Sequence, residues 1–295
     1  MIVMRGALLF SLYGGDAWVA SGAVVVGIAL VAPTGYFVQH SLATRVCRAI
    51  LLTALVVAIF SGTPLSLFIA VPGIAIVIAL ASLLAEPARP RLRAASASVT
   101  IILVLFATGP EAAHLYRQPP RSETPRQLLV LGDSLTSGDF GETETWTSLV
   151  GKSCGMAITD RSAPSETTSS AATALETDIP AAADAVFIEL GGNDMLEGRN
   201  ARDFERDLDR VLTTLAGDET RSLLMLEFPV LPGKWRFAVA QRRLARRHGA
   251  VLIPKRVLAR VLTDSRNTFD GLHLNDRGHA ELAARLKPWL GCGQN

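Results

Sequence analysis

The chemistry this sequence could perform rests on a serine, a histidine and an aspartate. Residues 128–138 read Leu-Leu-Val-Leu-Gly-Asp-Ser-Leu-Thr-Ser-Gly, and residues 269–274 read Phe-Asp-Gly-Leu-His-Leu. An aliphatic run that halts at Gly132-Asp133-Ser134 has the pattern of a buried strand ending in a tight turn, with a hydroxyl at its tip. A serine hydroxyl is a weak nucleophile until a base takes its proton. His273 can be that base, and Asp270, three residues earlier on one loop, can orient the imidazole and stabilise its charged form. The chemistry so predicted is acyl transfer through a covalent acyl intermediate. Taken singly, each piece has a plainer meaning. Gly-Asp-Ser is an ordinary turn, Gly-Gly-Asn-Asp (191–194) a loop or helix cap, and Asp270 and His273 can be capping or surface groups. With Asp276 and His279 they also suggest a metal cluster. No separate cysteine or histidine completes a ligand set, so neither metal nor cofactor is expected.

The elements that must position these groups alternate from residue 127 onward. Apolar runs at 128–132, 185–190, 222–228 and 250–253 predict buried parallel strands, with a weaker one at 156–159. Helical stretches fall near 143–153, 167–178, 200–216, 235–248 and 275–289, the last opened by Asn275 as N-cap. Five strands alternating with helices predict a three-layer α/β domain, flavodoxin-like in order, with a mainly parallel five-stranded sheet. Ligands in such folds sit beyond the carboxyl ends of the strands. Ser134 after the first strand and Gly191-Gly192-Asn193-Asp194 after the third both fall on that edge.

Gly-Asp-Ser-Leu at 132–135, Gly-Gly-Asn-Asp at 191–194 and Asp-x-x-His at 270–273, in that order, resemble the GDSL/SGNH hydrolase superfamily. The resemblance covers about 126–290. Trp146 and the stretch Glu-Leu-Gly-Gly-Asn-Asp-Met-Leu-Glu-Gly (189–198) are most similar to its periplasmic thioesterase/lysophospholipase branch. It implies an SGNH-type domain over 127–295 and an oxyanion hole made by the Ser134 N–H, the Asn193 side-chain amide and a backbone N–H after the second strand. Ser165 falls where the family usually has glycine, so the hole is expected to survive if its backbone avoids positive φ. Asp133 and Asp194 read as structural groups bonding loop backbone.

Residues 1–112 differ in kind. Their only charges are Arg5, Asp16, Arg45, Arg48, Glu86, Arg89, Arg91, Arg93 and Glu111, and mean hydropathy over the whole chain is +0.31. Apolar stretches at Trp18–Val38, Arg48–Gly62, Leu65–Leu84 and Ala94–Thr108 predict an all-α transmembrane region of about four spans. A cleaved signal peptide over residues 1–33 is the poorer alternative, since Arg5 is a thin basic region and further apolar segments follow. Arginines cluster between spans one and two and between spans three and four. The excess of arginine on cytoplasmic loops then puts the catalytic domain on the extracytoplasmic (periplasmic or outer) face. Residues 113–126, rich in proline and charge, read as a linker. A net charge of +2 gives no argument for nucleic acid. Arg242, Arg243, Arg246 and Arg247 read as a solvated helix face, with contact to anionic lipid headgroups the sharper alternative. Protein partners are not legible.

Cys154 ends the helix after strand one and Cys292 follows the last helix. In a flavodoxin-like order those helices share a sheet face and run the same way, so a Cys154–Cys292 disulfide is expected in an exported domain, against two buried thiols otherwise. An exported domain does not meet cytosolic acyl-CoA. Lysophospholipids, other lipid esters or O-acylated envelope glycans are therefore the expected substrates, with membrane lipids as neighbours. Two rival readings remain: an O-acyltransferase using the same triad, and a non-catalytic binding domain that keeps the fold.

Overall fold

A computed structural model describes residues 90–120, 122–178, 183–217, 221–231 and 233–293, with 23–29 and isolated positions (42, 45–46, 49–50) before them. The chain divides into two compact units, with a break between Tyr116 and Arg117. The expected spans at 18–38, 48–62 and 65–84 lie outside the described residues, apart from helical 23–29 and 49–50. In the first unit a helix runs Pro90–Leu115. Among the described residues its portion Ala97–Leu115 is the one helix long and apolar enough to cross a membrane, by length and composition alone. It extends past the expected Thr108 because Pro110 is carried inside the helix rather than ending it.

The second unit is built on a five-stranded parallel sheet. Its strands are β1 (Gln127–Gly132), β2 (Ala157–Asp160), β3 (Ala185–Glu189), β4 (Ser222–Leu226) and β5 (Val251–Ile253), in spatial order β2-β1-β3-β4-β5. Strands β1 and β3 are buried on both faces, which is why their sequences are nearly continuous aliphatic runs. The weak strand signal at 156–159 has the same cause in reverse, because β2 is an exposed edge strand.

Among the described residues, six α-helices lie between the strands, α1 (Ser134–Ser137), α2 (Trp146–Cys154), α3 (Thr168–Thr177), α4 (Gly192–Leu196), α5 (Ala201–Leu215) and α6 (Trp235–Arg247), and two follow the last strand, α7 (Arg256–Leu262) and α8 (Asp276–Leu286). α2, α7 and α8 pack together, and α3, α5 and α6 pack together, giving the two layers that cover the sheet. Side-chain caps start four of the longer helices where the sequence turns polar. Thr145 opens α2, Thr167 opens α3 in a capping box, Asn200 opens α5 and Asn275 opens α8. Helices α1, α4 and α7 were not read from sequence, since elements of four to seven residues carry too little periodicity.

Two long-range ties hold the ends of this unit. Cys154 at the end of α2 is disulfide-bonded to Cys292, with Cα atoms 5.7 Å apart. Residues 122–124 run against Gly291, where Thr124 Oγ1 donates to the Gly291 carbonyl at 3.0 Å. An added Cβ at Gly291 would lie 2.5 Å from the Ser122 carbonyl. Of Arg242, Arg243, Arg246 and Arg247 on α6, three are engaged by neighbours. Arg242 bonds buried Glu227 at 2.6 Å, Arg243 pairs with Glu205, and Arg247 pairs with Asp209 at 2.8 Å. The acidic face of α5 supplies two of those partners.

Because the disulfide closes a separation of 138 residues, its reduction should weaken folding by up to about 5 kcal/mol in the chain-entropy limit. Urea unfolding with and without reductant, and of Cys292→Ser, measures this. Equal midpoints would show that the cross-link contributes nothing.

Candidate active site

The turn after β1 is fixed from several directions. An added Cβ at Gly132 would lie 2.6 Å from Thr136 Oγ1, so only glycine lets α1 fold back onto the strand so tightly. Asp133 caps α1 by accepting the Leu135 N–H at 3.0 Å. Ser134 is nearly buried at 8% exposure. Among the described residues its Oγ makes no side-chain hydrogen bond. Beneath the turn, Glu189 at the end of β3 is 2% exposed. Its Oε2 accepts the Asp133 N–H at 3.3 Å and the Thr136 hydroxyl at 3.0 Å. Trp146 Nε1 completes the chain by donating to Thr136 Oγ1 at 3.2 Å.

Two buried carboxyls therefore meet under the nucleophile turn. Burial raises Asp133 to about 6, against a lowering from the Leu135 N–H. Glu189 is raised well above its ordinary value, first by burial and then by the charge of Asp133. Sequence reading took Asp133 as a backbone-bonding group only. Its Oδ2 also accepts from Asn193 Nδ2 at 3.3 Å, which joins the nucleophile turn to the loop after β3. Glu189 itself was missed as a site residue. The signal available was a carboxylate closing an otherwise apolar, doubly covered strand.

Gly191, with φ of 113°, turns the chain from β3 into α4. A side chain there would also collide with Phe204 and Phe228, whose nearest ring atoms would lie 2.6 and 2.5 Å away. Asn193 follows on α4 and donates a second hydrogen to the Glu166 carbonyl at 3.0 Å. Asp194 is fully buried, accepts from the Thr168 N–H and hydroxyl at 2.9 and 2.7 Å, and pairs with Arg199, so its role is to pin α3 to α4.

Ala163 to Glu166 form a turn closed by Glu166 N–H to Ala163 O at 3.2 Å. Pro164 occupies its second position and Ser165 its third, at φ of 60°, the arrangement of a type II turn. Ser165 thus takes the positive φ that survival of the hole was expected to require it to avoid, yet this is the backbone of a glycine, so its N–H keeps the direction a glycine's would have. The turn forces the backbone a glycine would adopt, at a steric cost of about 1–2 kcal/mol for an L-residue. Ala163 N–H bonds the Gly132 carbonyl at 3.1 Å, so this turn lies beside the carboxyl end of β1.

His273 Nδ1 and Asp270 Oδ2 are 2.6 Å apart, and Asp270 Oδ1 accepts the His273 N–H at 2.9 Å. Those bonds, the backbone one foremost, hold the Asp270 carboxyl down at about 2. Phe140, on the loop after α1, stacks on the imidazole with ring centroids 3.7 Å apart. Asp276 and His279 serve elsewhere. Asp276 accepts from Thr143, and buried His279 accepts the Trp146 N–H on Nδ1 at 3.1 Å, with burial lowering its pKa. Among the described residues no group of three or more His, Cys, Asp or Glu side chains is arranged to hold a metal.

The comparisons agree with this architecture. The model of the GDSL-like Lipase/Acylhydrolase family matches residues 130–281, just over half of the chain, and the chain belongs to that family. It is a serine carboxylic ester hydrolase of the GDSL type. No match was found among curated proteins. Among solved structures it is similar to TesA, with 23% identity over 56% of this chain and 97% of that one, at a TM-score of 0.50, a likeness of fold. The psychrotrophic esterase EstA from Pseudoalteromonas sp. is 19% identical over 55% and 94%, at 0.48. AlinE4, an SGNH-hydrolase family esterase, is 24% identical over 57% and 95%, at 0.44.

Acids whose pKa rises on folding contribute stability at low pH and lose it as pH climbs through the raised value. Glu189→Gln keeps an acceptor for Asp133 N–H and Thr136 without needing a proton. The variant should therefore gain stability relative to the parent between pH 5 and pH 8. Urea unfolding at both values checks the sign, and an unchanged difference would mean Glu189 keeps an ordinary pKa.

Proposed function

We propose that this chain is a membrane-tethered serine esterase that hydrolyses acyl esters, of lipids or lysophospholipids or of O-acylated envelope glycans, through Ser134, His273 and Asp270. The observation that carries the reading is the 2.6 Å contact between Asp270 and His273, whose imidazole stacks on Phe140 of the loop that follows the Ser134 turn. In this reading His273 removes the Ser134 proton as the hydroxyl attacks the ester carbonyl, and then returns it to the leaving alcohol. Water repeats the sequence to free the acid. Asp270 keeps Nδ1 protonated, so that Nε2 is the basic nitrogen.

Negative charge developing on the carbonyl oxygen needs donors already aimed at it. The backbone N–H groups of Ser134 and Ser165 and the Asn193 amide are the donors in this proposal. Asn193 holds both its hydrogens in bonds, and the longer one, 3.3 Å to Asp133, is the one a substrate oxyanion would replace.

Tethering rests on residues 1–112 as an anchor of about four spans, supported by the apolar helix Ala97–Leu115, whose Val99, Ile102, Leu105 and Phe106 are exposed. The Cys154–Cys292 disulfide supports an oxidising, extracytoplasmic setting. An apolar anchor in turn favours lipid or envelope esters as substrates.

Ser134→Ala should abolish p-nitrophenyl ester hydrolysis and covalent labelling by a fluorophosphonate. Asn193→Ala should keep the fold and lose on the order of 10²–10³ in turnover. Hydrolysis at the parental rate by purified Ser134→Ala would exclude the mechanism.

A further inference from the structure

We infer that Phe140 is a positioning residue for the catalytic base: its ring, held against one face of the His273 imidazole, fixes the plane in which that base meets Ser134. The inference rests on the esterase reading above. The two rings stack with centroids 3.7 Å apart and planes inclined by 20°. Phe140 is 43% exposed, so core burial does not hold it there.

Its loop does. Gly138, Asp139 and Gly141 all take positive φ, at 80°, 78° and 106°. Asp139 is one of two non-glycine residues doing so among the described residues, the other being Ser165 in the proposed oxyanion hole. The loop closes on itself, because the Glu142 carboxylate accepts the Phe140 N–H at 3.0 Å. The same carboxylate fills the space at Gly138, where any Cβ would collide with it. This backbone turns Phe140 away from the core and toward the imidazole.

The imidazole needs such a partner. Its bond to Asp270 is made through Nδ1, with the two atoms 2.6 Å apart, and defines an axis through that nitrogen. One bond on that axis sets where Nδ1 points but leaves the ring free to roll about it, carrying Nε2 out of line with Ser134. A flat face at van der Waals distance blocks that roll. Asp270 is itself half exposed, with 53% of its side chain accessible, and stands beside Gly271 at φ of 96°. The loop alone is therefore a soft mount for the base. Misplacing a reacting group lowers turnover without weakening substrate binding.

The test compares Phe140→Leu, which keeps bulk but loses the flat face, with Phe140→Tyr, which keeps the face. With p-nitrophenyl acetate, Phe140→Leu should lose about tenfold in kcat with KM held within about twofold, and Phe140→Tyr should restore kcat. Independently of activity, the ring protons of His273 should show an upfield ring-current shift in NMR that vanishes in Phe140→Leu. Unchanged kcat in Phe140→Leu, a rise in KM alone, or no ring-current shift in the parent protein would each overturn the inference. Retained hydrolysis by Ser134→Ala would instead overturn the esterase reading, and the ring-current measurement would still report on the stack.

Discussion

Parallel pairing sets Glu189 of β3 directly beside Gly132 of β1, and the site is built outward from that register. The carboxyl of Glu189 is out of water and bonded to the Asp133 N–H and the Thr136 hydroxyl. Those are the residues on either side of Ser134-Leu135. A shift of one residue between the strands would turn Glu189 to the other face of the sheet and leave the turn without an acceptor. An unpaired carboxylate at that depth is expensive, which is why the pair beneath the nucleophile holds its protons above the ordinary range.

Above that foundation, the loops meet through a few polar contacts. Asp133 holds Asn193, Asn193 holds the carbonyl of Glu166, and Ala163 of the same turn holds Gly132. The three connections leaving β1, β2 and β3 therefore close a ring of hydrogen bonds around Ser134. His273 stands on a fourth loop and meets the loop after α1 through the Phe140 ring. Its backbone carbonyl receives the Phe269 N–H, its ring meets Asp270 and Phe140, and Thr268 pairs with Leu274 in a single bridge. Ser134 is thus set in a turn bonded through backbone groups, while the His273 ring is held by the side chains of Asp270 and Phe140.

Helix α8 shows how one packing contact serves both ends of the chemistry. Asn275 caps it one residue after the base loop, and its buried His279 accepts the Trp146 N–H at the start of α2. Trp146 in turn donates to Thr136 in the nucleophile turn. A continuous path of buried contacts thus runs from the loop that holds His273 to the turn that holds Ser134.

Strand runs, helix caps and the three motifs were legible because they depend on local pattern: apolar continuity for doubly covered strands, oxygen-bearing side chains before helices, and glycine where the chain reverses. With the rule that ligands gather at the carboxyl ends of parallel strands, they determined the α/β class, the sheet order and the edge on which Ser134 and Asn193 lie. Tertiary structure decided what depends on partners distant in sequence. It took up three α6 arginines with Glu227, Glu205 and Asp209, gave Ser165 the backbone of a glycine, separated His279 from the base it resembled in spacing, and recruited Glu189 and Phe140. Burial and proximity are not written in the order of residues. A lone glutamate at a strand end or a phenylalanine in a loop acquires its role only when another segment arrives beside it.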